Sequence, residues 1–310
     1  MKNMIRVYNK SFYNSLKRMK RMVKFLLKRM FIFLWFSRSK IPFLNFPIPV
    51  PLPYGGWFLC YGDVMGASVF LYKFTRERYD ENYWKFVQQF LKPGMIFFDI
   101  GANQGFYTIL ASKLVGPEGK VFAFEPAPTE FRKLKLNILI NRLKNVVVEP
   151  LALGSREGSS DFYLVLNGKG SFSSLRPPAK DVNARTKLIK VPLTTLDAYI
   201  YSNNISRVEF IKIDAEGGEL DVLKGGLKVL REIRPIVMCE IADIRTQQWG
   251  YKASEICQFL ENCGYLWFQI TPNGKIIFHK IKDRYDHAWE NLIAVPIEKL
   301  DELKNFREDI

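Results

Sequence analysis

The chain has 310 residues, with 46 basic and 31 acidic side chains and a formal net charge of +15. Twelve of the basic residues and no acidic residue lie within residues 1–40, so the remaining 34 basic and 31 acidic residues nearly balance. This distribution argues against a nucleic-acid enzyme with a basic stripe across its active face, and the length allows one large core or two modest ones.

The cysteine and histidine content narrows the chemistry further. The four cysteines show neither a C-x-x-C spacing nor the density of a disulfide framework, and their sparsity fits a reducing, cytoplasmic setting. Because the chain has only two histidines, a histidine-based metal site is not expected.

Residues 1–40 predict a basic amphipathic helix that forms an appendage to the body. Its longest uncharged apolar run, residues 30–36, is seven residues long, whereas a membrane span needs about twenty. No small-residue signal-peptidase site follows it. We expect this helix to lie on an anionic membrane surface at the cytoplasmic face, with Phe, Leu and Trp35 inserted. The alternatives are a helix docked on the body, a coiled partner helix or an organelle transit peptide. The apolar positions recur at steps of three and four: Phe12, Leu16, Met19, Val23, Leu26, Leu27, Met30 and Leu34.

Two short segments separate this appendage from the main domain. Residues 41–56 are proline-rich and predict a stiff connector, because proline excludes both helix and central strand. Residues 57–92 predict strands at 57–60 and 68–74 around a Gly62-Asp63 turn, then a helix from residue 80 or 81 to 91 that could cover a ligand.

Residues 93–297 alternate between strand and helix patterns and predict one α/β domain, followed by a tail at 298–310. We expect a Rossmann-like, mostly parallel, seven-stranded sheet with helices on both faces and an antiparallel C-terminal hairpin turning at Asn273-Gly274. An insertion at 155–192, two strands around a polar stretch, predicts a flap before the fourth core strand. Ser171, Ser173 and Ser174 in it are hydrogen-bonding groups or parts of a solvated loop. The predicted strands are 95–100, 120–124, 146–149, 208–213, 235–240, 265–270, 275–280 and 291–295, and the helices are 105–115, 128–141, 218–230 and 253–262.

The most informative motif is a buried strand that runs into a small-residue turn and then a helix, at residues 97–106 (FFDIGANQGF). Glu125 ends the next predicted strand, twenty positions after Gly105. Parallel strands bring these two ends together at the sheet edge where nucleoside ligands bind, and a carboxylate there can accept hydrogen bonds from a ribose diol. The motif therefore predicts a nucleoside pocket.

The glycine spacing decides which nucleoside ligand is expected. A dinucleotide turn needs glycine where this chain has Asn103 and Phe106, and no Gly-Lys-Ser or Gly-Lys-Thr follows to form a P-loop. The remaining pattern is D-x-G-x-N-x-G, from Asp99 through Gly101 and Asn103 to Gly105. Asparagine is the non-glycine residue that best tolerates a left-handed backbone, so it can stand in for the middle glycine.

This pattern resembles the first motif of Rossmann-like S-adenosylmethionine methyltransferases, and with the later blocks the chain resembles the FkbM methyltransferase family over roughly residues 90 to 296. The resemblance implies a class I methyltransferase fold and S-adenosylmethionine as cofactor. It also implies that Asp99, Gly101, Asn103 and Gly105 surround the methionine moiety, that Glu125 holds the ribose, and that Leu151, Ala152 and Leu153 lie by the adenine. The later blocks are Glu125-Pro126-Ala127-Pro128, Leu136-Asn137 with Asn141, Ala152-Leu153-Gly154, Thr195-Leu196-Asp197 and residues 210–219 (FIKIDAEGGE).

Carboxylates are the available catalytic bases, because histidine is nearly absent. Asp214 and Glu216 follow the fourth core strand and Glu240 ends the fifth, at the same sheet edge as Gly101 and Glu125. We expect Asp214 to be the leading base or substrate-binding acid, with Glu216 and Glu240 supporting it. The plainer alternatives are that Glu216 caps the next helix and that Glu240 pairs with Lys212 or an arginine. Three such oxygen ligands are also compatible with Mg²⁺.

We therefore expect an S-adenosylmethionine-dependent O-methyltransferase that acts on a hydroxyl of a small molecule, sugar or lipid-linked glycan. One alternative is a nucleic-acid methyltransferase that uses the basic arm for phosphates, although the sequence after strand four, Ile-Asp-Ala-Glu-Gly, differs from the block of base-methylating enzymes. Another alternative is a non-catalytic membrane-surface protein that keeps the fold.

Overall fold

The computed structural model describes residues 30, 34–35, 37, 46–72, 80–286 and 290–308. The predicted amphipathic helix over residues 1–40 therefore lies almost entirely outside the described residues.

Strands are numbered in chain order: β1 Ile48–Pro51, β2 Trp57–Cys60, β3 Ile96–Ile100, β4 Lys120–Phe124, β5 Val146–Glu149, β6 Ala152–Leu153, β7 Gly158–Val165, β8 Thr186–Thr194, β9 Phe210–Ile213, β10 Ile236–Glu240, β11 Tyr265–Ile270, β12 Ile276–Phe278 and β13 Asn291–Pro296. Helices follow the same rule: α1 Val64–Tyr72, α2 Glu81–Phe90, α3 Phe106–Val115, α4 Pro128–Ile140, α5 Leu196–Ser202, α6 Glu219–Lys224, α7 Leu227–Glu232, α8 Asp243–Thr246 and α9 Ala253–Glu261.

A central sheet carries the fold, in the strand order β12-β11-β13-β10-β9-β3-β4-β5. Strands β5, β4, β3, β9 and β10 are parallel, and β13, β11 and β12 pair antiparallel beyond β10. The predicted Rossmann-like, mostly parallel sheet with an antiparallel C-terminal end is confirmed. It has eight strands in place of the expected seven, because the strand predicted at 275–280 forms β12 and joins the sheet as its edge strand.

Helices cover both faces of the sheet, so successive residues of its inner strands are buried on opposite sides. Phe97 packs into one core with residues of α2 and α3, whereas Phe98 packs into the other with residues of α5, α7 and α9. The reversal of strand order beside β3 leaves a crevice at the carboxyl ends of the parallel strands.

The N-terminal part of the body differs from its prediction. Residues 64–72 form α1 where a strand was expected at 68–74, since Asp63 Oδ1 accepts the backbone N–H of Gly66 at 2.7 Å and so caps a helix start. β1, within the proline-rich segment, pairs antiparallel with β2. The indole of Trp35, expected to insert into lipid, is buried on the body: it donates to the Asp63 carbonyl and packs against Phe70.

Two further segments refine the prediction. The expected helix at 218–230 is divided into α6 and α7 at Gly225, where a Cβ would lie 2.0 Å from the Gly154 carbonyl oxygen. The expected flap is present: β7 and β8 form a hairpin, joined to β6 in a small separate sheet. The tail beyond β13 forms a 3-10 helix at Ile297–Phe306 that packs Leu303 into the core. No helix within the described residues is both long and apolar enough to cross a membrane.

Candidate active site

A cavity of about 430 Å³ lies at the carboxyl ends of β3, β4, β9 and β10. Nine of the ten site residues expected from the sequence line it, and Gly105 alone does not. At one end, the turn end, the lining is Asp99, Gly101, Ala102, Asn103, Phe124, Glu125, Leu151, Ala152, Leu153 and Phe162. At the other, the acid end, it is Lys212, Asp214, Glu216, Glu240, Trp249 and Asn291, and the flap residues Ser171 to Leu175 also line the cavity.

Backbone conformation explains the residues of the turn. Gly101 has φ +77°, and a Cβ there would lie 1.8 Å from the Asp214 carbonyl oxygen, so only glycine fits. Asn103 has φ 52°, which confirms that asparagine takes the left-handed conformation here. Gly105 has φ +90° and precedes α3, with a Cβ position 2.5 Å from the Leu134 side chain. Its role is thus close packing beneath the cavity.

Glu125 is fixed by the backbone of the same turn. Its Oε2 accepts the Asn103 N–H at 2.7 Å, and its Oε1 accepts the Ala127 N–H at 2.8 Å. Burial raises the pKa of Glu125 to about 8, although these two backbone hydrogen bonds oppose the shift. Each oxygen retains a lone pair, so the carboxylate can still accept a pair of hydroxyls.

Asp99 lies deeper, at the end of β3, and is only 1% exposed. Its Oδ2 accepts the Thr108 hydroxyl at 2.6 Å, but its Oδ1 is buried and has no hydrogen-bond partner in the part of the chain that the structure describes. Burial raises the pKa of Asp99, and the neighbouring Lys212 opposes that shift. The side-chain Oδ1 of Asn103 is likewise buried and unpartnered. Such buried oxygens are costly unless a ligand donates to them.

The acid end holds three carboxylates with different partners. Asp214, whose side chain is 38% exposed, forms an ion pair with Lys212 at 2.9 Å. Lys212 faces Asp99 in the β3–β9 register and also lies over the Tyr107 ring. Glu216 pairs with Arg245 at 3.3 Å, and Arg245 in turn pairs with Asp181. Two of the three expected catalytic acids are thus neutralised.

The helix-capping alternative for Glu216 is not found, because Gly218, which has no side chain, occupies the N-cap position of α6. Glu219 Oε1 accepts the backbone N–H groups of Ala215 and Gly217. Glu216 instead has φ 50°, a strained conformation for a non-glycine residue, and burial together with Glu240 raises its pKa well above the usual range. The chain therefore holds the Glu216 side chain in the cavity wall.

Glu240 differs from its neighbours. It is 5% exposed, and within the part of the chain that the structure describes no hydrogen bond or ion pair holds its carboxylate. The expected pairing with Lys212 or an arginine is therefore not found, since those bases bind Asp214, Glu216 and Asp181. Burial, followed by repulsion from Asp214 and Glu219, raises the pKa of Glu240 well above its usual range. A carboxylate of this kind is poised to take up a proton.

Sequence reasoning missed several lining residues. Trp249 donates to the Glu216 carbonyl, and Ser174 donates to the same carbonyl, tying the flap to the loop after β9. Asn291 begins β13 directly opposite Glu240. The burial of Lys212 was signalled only by its place in an otherwise apolar strand. Nothing local marked Trp249 or Asn291, because distant chain segments bring them to the cavity.

The cavity fits the cofactor that the sequence implies, but a metal site is absent from the described ranges. An amino-acid group suits the buried oxygens of Asp99 and Asn103 and the turn at Gly101. A ribose suits the Glu125 carboxylate. Ala152 and Leu153 offer an apolar surface to a base. No group of three or more His, Cys, Asp or Glu side chains in residues 46–72, 80–286 and 290–308 is arranged to hold a metal ion.

The sheet order and the glycine turn define the class I methyltransferase fold. The sequence model of the methyltransferase FkbM domain matches residues 99–266, and the chain belongs to this family. Its relatives include Methyltransferase 1 of Beauveria bassiana, 28% identical over 142 residues, which covers 41% of this chain and 56% of the relative. Hexuronic acid methyltransferase AglP of Haloferax volcanii is 27% identical over 148 residues, 46% of this chain and 54% of the relative. The 2-O-methyltransferase NoeI of Sinorhizobium fredii is 27% identical over 154 residues, 46% of this chain and 62% of the relative. The chain thus spans about half to three fifths of the relatives it matches.

Proposed function

We propose that the protein is an S-adenosylmethionine-dependent O-methyltransferase whose acceptor is a hydroxyl of a sugar or glycan. The observation that carries the proposal is the cavity itself, in which the glycine turn and Glu125 at one end face an unpaired carboxylate, Glu240, at the other. Family membership supports methyl transfer. The relatives named for hexuronic acid and for 2-O-methylation support a sugar hydroxyl as acceptor.

At the turn end, the chain's own residues would hold the cofactor. Glu125 would accept hydrogen bonds from the ribose hydroxyls, Asp99 Oδ1 would accept one from the ammonium group, and Ala152 and Leu153 would offer an apolar surface to the adenine. When bound, S-adenosylmethionine supplies a methyl group on a sulfonium, whose sulfur keeps the bonding electrons as the methyl leaves. No phosphate has to be bound, which agrees with the absence of lysine in the turn at 99–106.

At the acid end, Glu240 is the proposed general base. Its ionised carboxylate would take up the proton that the acceptor hydroxyl loses when it is methylated. Burial raises the pKa of Glu240, which makes its ionised form a stronger base than a free carboxylate, while Arg245 and Lys212 oppose the shift and favour that ionised form. Asp214 was the expected leading base, but its ion pair with Lys212 favours a role in orienting the site.

Titration calorimetry with S-adenosylmethionine tests the cofactor assignment. We expect binding by the full chain, and a loss of about tenfold to a hundredfold in affinity for Glu125→Ala, since two hydrogen bonds worth roughly 0.5–1.5 kcal/mol each would be lost. Glu157→Ala, on the exposed start of the flap, is the matched control. Absence of binding, or equal binding by Glu125→Ala, would show that the pocket is misassigned. A labelled-methyl assay on fractionated cell extract then identifies the acceptor class.

We further propose that residues 1–40 attach the enzyme to an anionic membrane surface. The charge of that segment supports the proposal, and the docking of Trp35 on the body limits it to the other apolar residues. Flotation with anionic vesicles should be lost when residues 1–33 are removed, which leaves Trp35 in place. Equal flotation of the truncated protein would contradict the proposal.

A further inference from the structure

Asn291 and Glu240 form a pair that no other part of the site explains. They lie directly opposite each other in the antiparallel β10–β13 register, so both side chains point to the same face of the sheet. Both line the cavity, and they are 8% and 5% exposed. Asn291 Oδ1 is buried and has no hydrogen-bond partner among the described residues, although its backbone N–H donates to the Tyr83 hydroxyl. The unsatisfied Asn291 Oδ1 and the Glu240 carboxylate, which has no hydrogen bond or ion pair among the described residues, thus lie on neighbouring strands at the acid end.

The chemistry of the pair matches hydroxyl groups. An amide offers both a donor and an acceptor, as a hydroxyl does, whereas an ionised carboxylate only accepts. Opposed residues of an antiparallel pair have Cα atoms about 4.5–5.5 Å apart, so their side-chain ends can converge on two oxygens of adjacent carbons. A single hydroxyl would leave one of the two groups unsatisfied at a cost comparable to a lost hydrogen bond.

Charge restricts the ligand further. Of the described bases at this end of the cavity, Lys212 is paired with Asp214, and Arg245 with Glu216 and Asp181. Neither Lys212 nor Arg245 is therefore available to form an ion pair with an anionic ligand. An anionic group beside Glu240 would be repelled by the neighbouring carboxylates, and repulsion is strong in a buried site.

We propose that Glu240 and Asn291 form a subsite for an uncharged vicinal diol of the acceptor. The reacting hydroxyl donates to Glu240, and the neighbouring hydroxyl is held by Asn291, which acts as a positioning and specificity-determining residue. This inference rests on the proposed methyltransferase function, and it narrows the acceptor to sugars without a carboxylate or phosphate near the diol, in contrast to the hexuronic acid for which one relative is named.

Ligand-observed NMR of the full chain tests the subsite without turnover, with methyl glucopyranoside and cis-1,2-cyclohexanediol as probes. Their matched counterparts are methyl glucuronide and cyclohexanol. We expect both diol probes to bind at least about threefold more tightly than their counterparts. Asn291→Leu should reduce diol binding about threefold to tenfold, which corresponds to one hydrogen bond. It should leave S-adenosylmethionine affinity and the urea midpoint unchanged, because the side-chain Oδ1 that it removes makes no hydrogen bond within the described residues. Asn305→Leu, on the exposed C-terminal 3-10 helix, is the control.

Each outcome decides one question. Equal binding of diol and mono-alcohol, no diol binding at all, equal binding of glucoside and glucuronide, or unchanged diol binding by Asn291→Leu would each overturn the subsite. If Asn291→Leu lowers the urea midpoint together with cofactor affinity, Asn291 is a structural residue and the inference fails. Loss of cofactor binding by the unmodified chain would instead refute the proposed function.

Discussion

The two ends of the cavity are built from the same residue types in different ways. At the turn end, the Glu125 carboxylate is fixed by two backbone N–H groups, that of Asn103 in the facing turn and that of Ala127 two residues along the chain. At the acid end, Asp214 and Glu216 are fixed by side chains, and Glu240 by none of the described residues. Backbone contacts favour a single geometry that suits an invariant ligand, whereas side-chain contacts allow variation. This difference suits one cofactor and a changeable acceptor.

The largest effect should come from removing the unpaired carboxylate. Glu240→Gln should lower kcat by about 10²–10⁴-fold, the usual contribution of a general base, and leave S-adenosylmethionine affinity unchanged.

Asp214→Asn should lower kcat less while reducing stability, because it leaves the buried Lys212 without its partner. Steady-state kinetics beside calorimetry checks both. If Asp214→Asn is the slower enzyme and remains folded, Asp214 is the base.

A second substitution tests whether the turn end is as rigid as its backbone contacts indicate. Gly101→Ala should cost about 3 kcal/mol or more and abolish cofactor binding, because its Cβ would collide with the Asp214 carbonyl oxygen. Gly94→Ala is the matched control, with φ +86° and open space around it, and should cost only about 1–2 kcal/mol. Urea unfolding measures both. Equal costs would mean that the close approach of the two loops is not enforced.

The pH dependence of stability sharpens the comparison of buried acids. Glu125 and Glu219 have their pKa values raised to about 8 and about 7 by burial. Between the unfolded pKa near 4.5 and these values, the native state binds more protons than the unfolded state, so stability should fall as pH rises from 5 to 8. Glu125→Gln should flatten the slope by at most about 1.4 kcal/mol per pH unit. Urea unfolding at pH 5, 6, 7 and 8 measures it, with Glu157→Gln as control; an unchanged slope would contradict the burial of that charge.

The smallest effect is expected at the asparagine of the turn. Asn103→Gly keeps the left-handed backbone available, and its side-chain Oδ1 has no protein partner, so stability should change by less than about 1 kcal/mol. Asn103→Val, a β-branched residue at the same φ, should cost more than the glycine variant. Thermal unfolding of both variants checks that Asn103→Val is the less stable one. If Asn103→Gly were less stable than Asn103→Val, the left-handed backbone would not be what requires asparagine at this position.

Prediction from sequence succeeded where one segment carries its own signal. The strand–helix alternation gave the parallel sheet, and Asn273-Gly274 gave the hairpin that adds β12. It failed at α1, because an apolar run with Ser, Val and Phe has strand propensity and the capping role of Asp63 was overlooked. For the serines of the flap, the sequence left open whether they are hydrogen-bonding groups or parts of a solvated loop, and the Ser174 hydroxyl donates to the Glu216 carbonyl.

The sequence by itself determined the doubly wound sheet, the left-handed turn at Asn103 and the acid at Glu125, because those features depend on neighbours within a strand or turn. Only the tertiary structure decided which carboxylate is unpaired among the described residues, since Lys212 of β9 pairs with Asp214 and Arg245 of α8 pairs with Glu216. The physical reason is that charge pairing in a buried site is set by distance and burial, and neither is encoded in the spacing of residues along the chain.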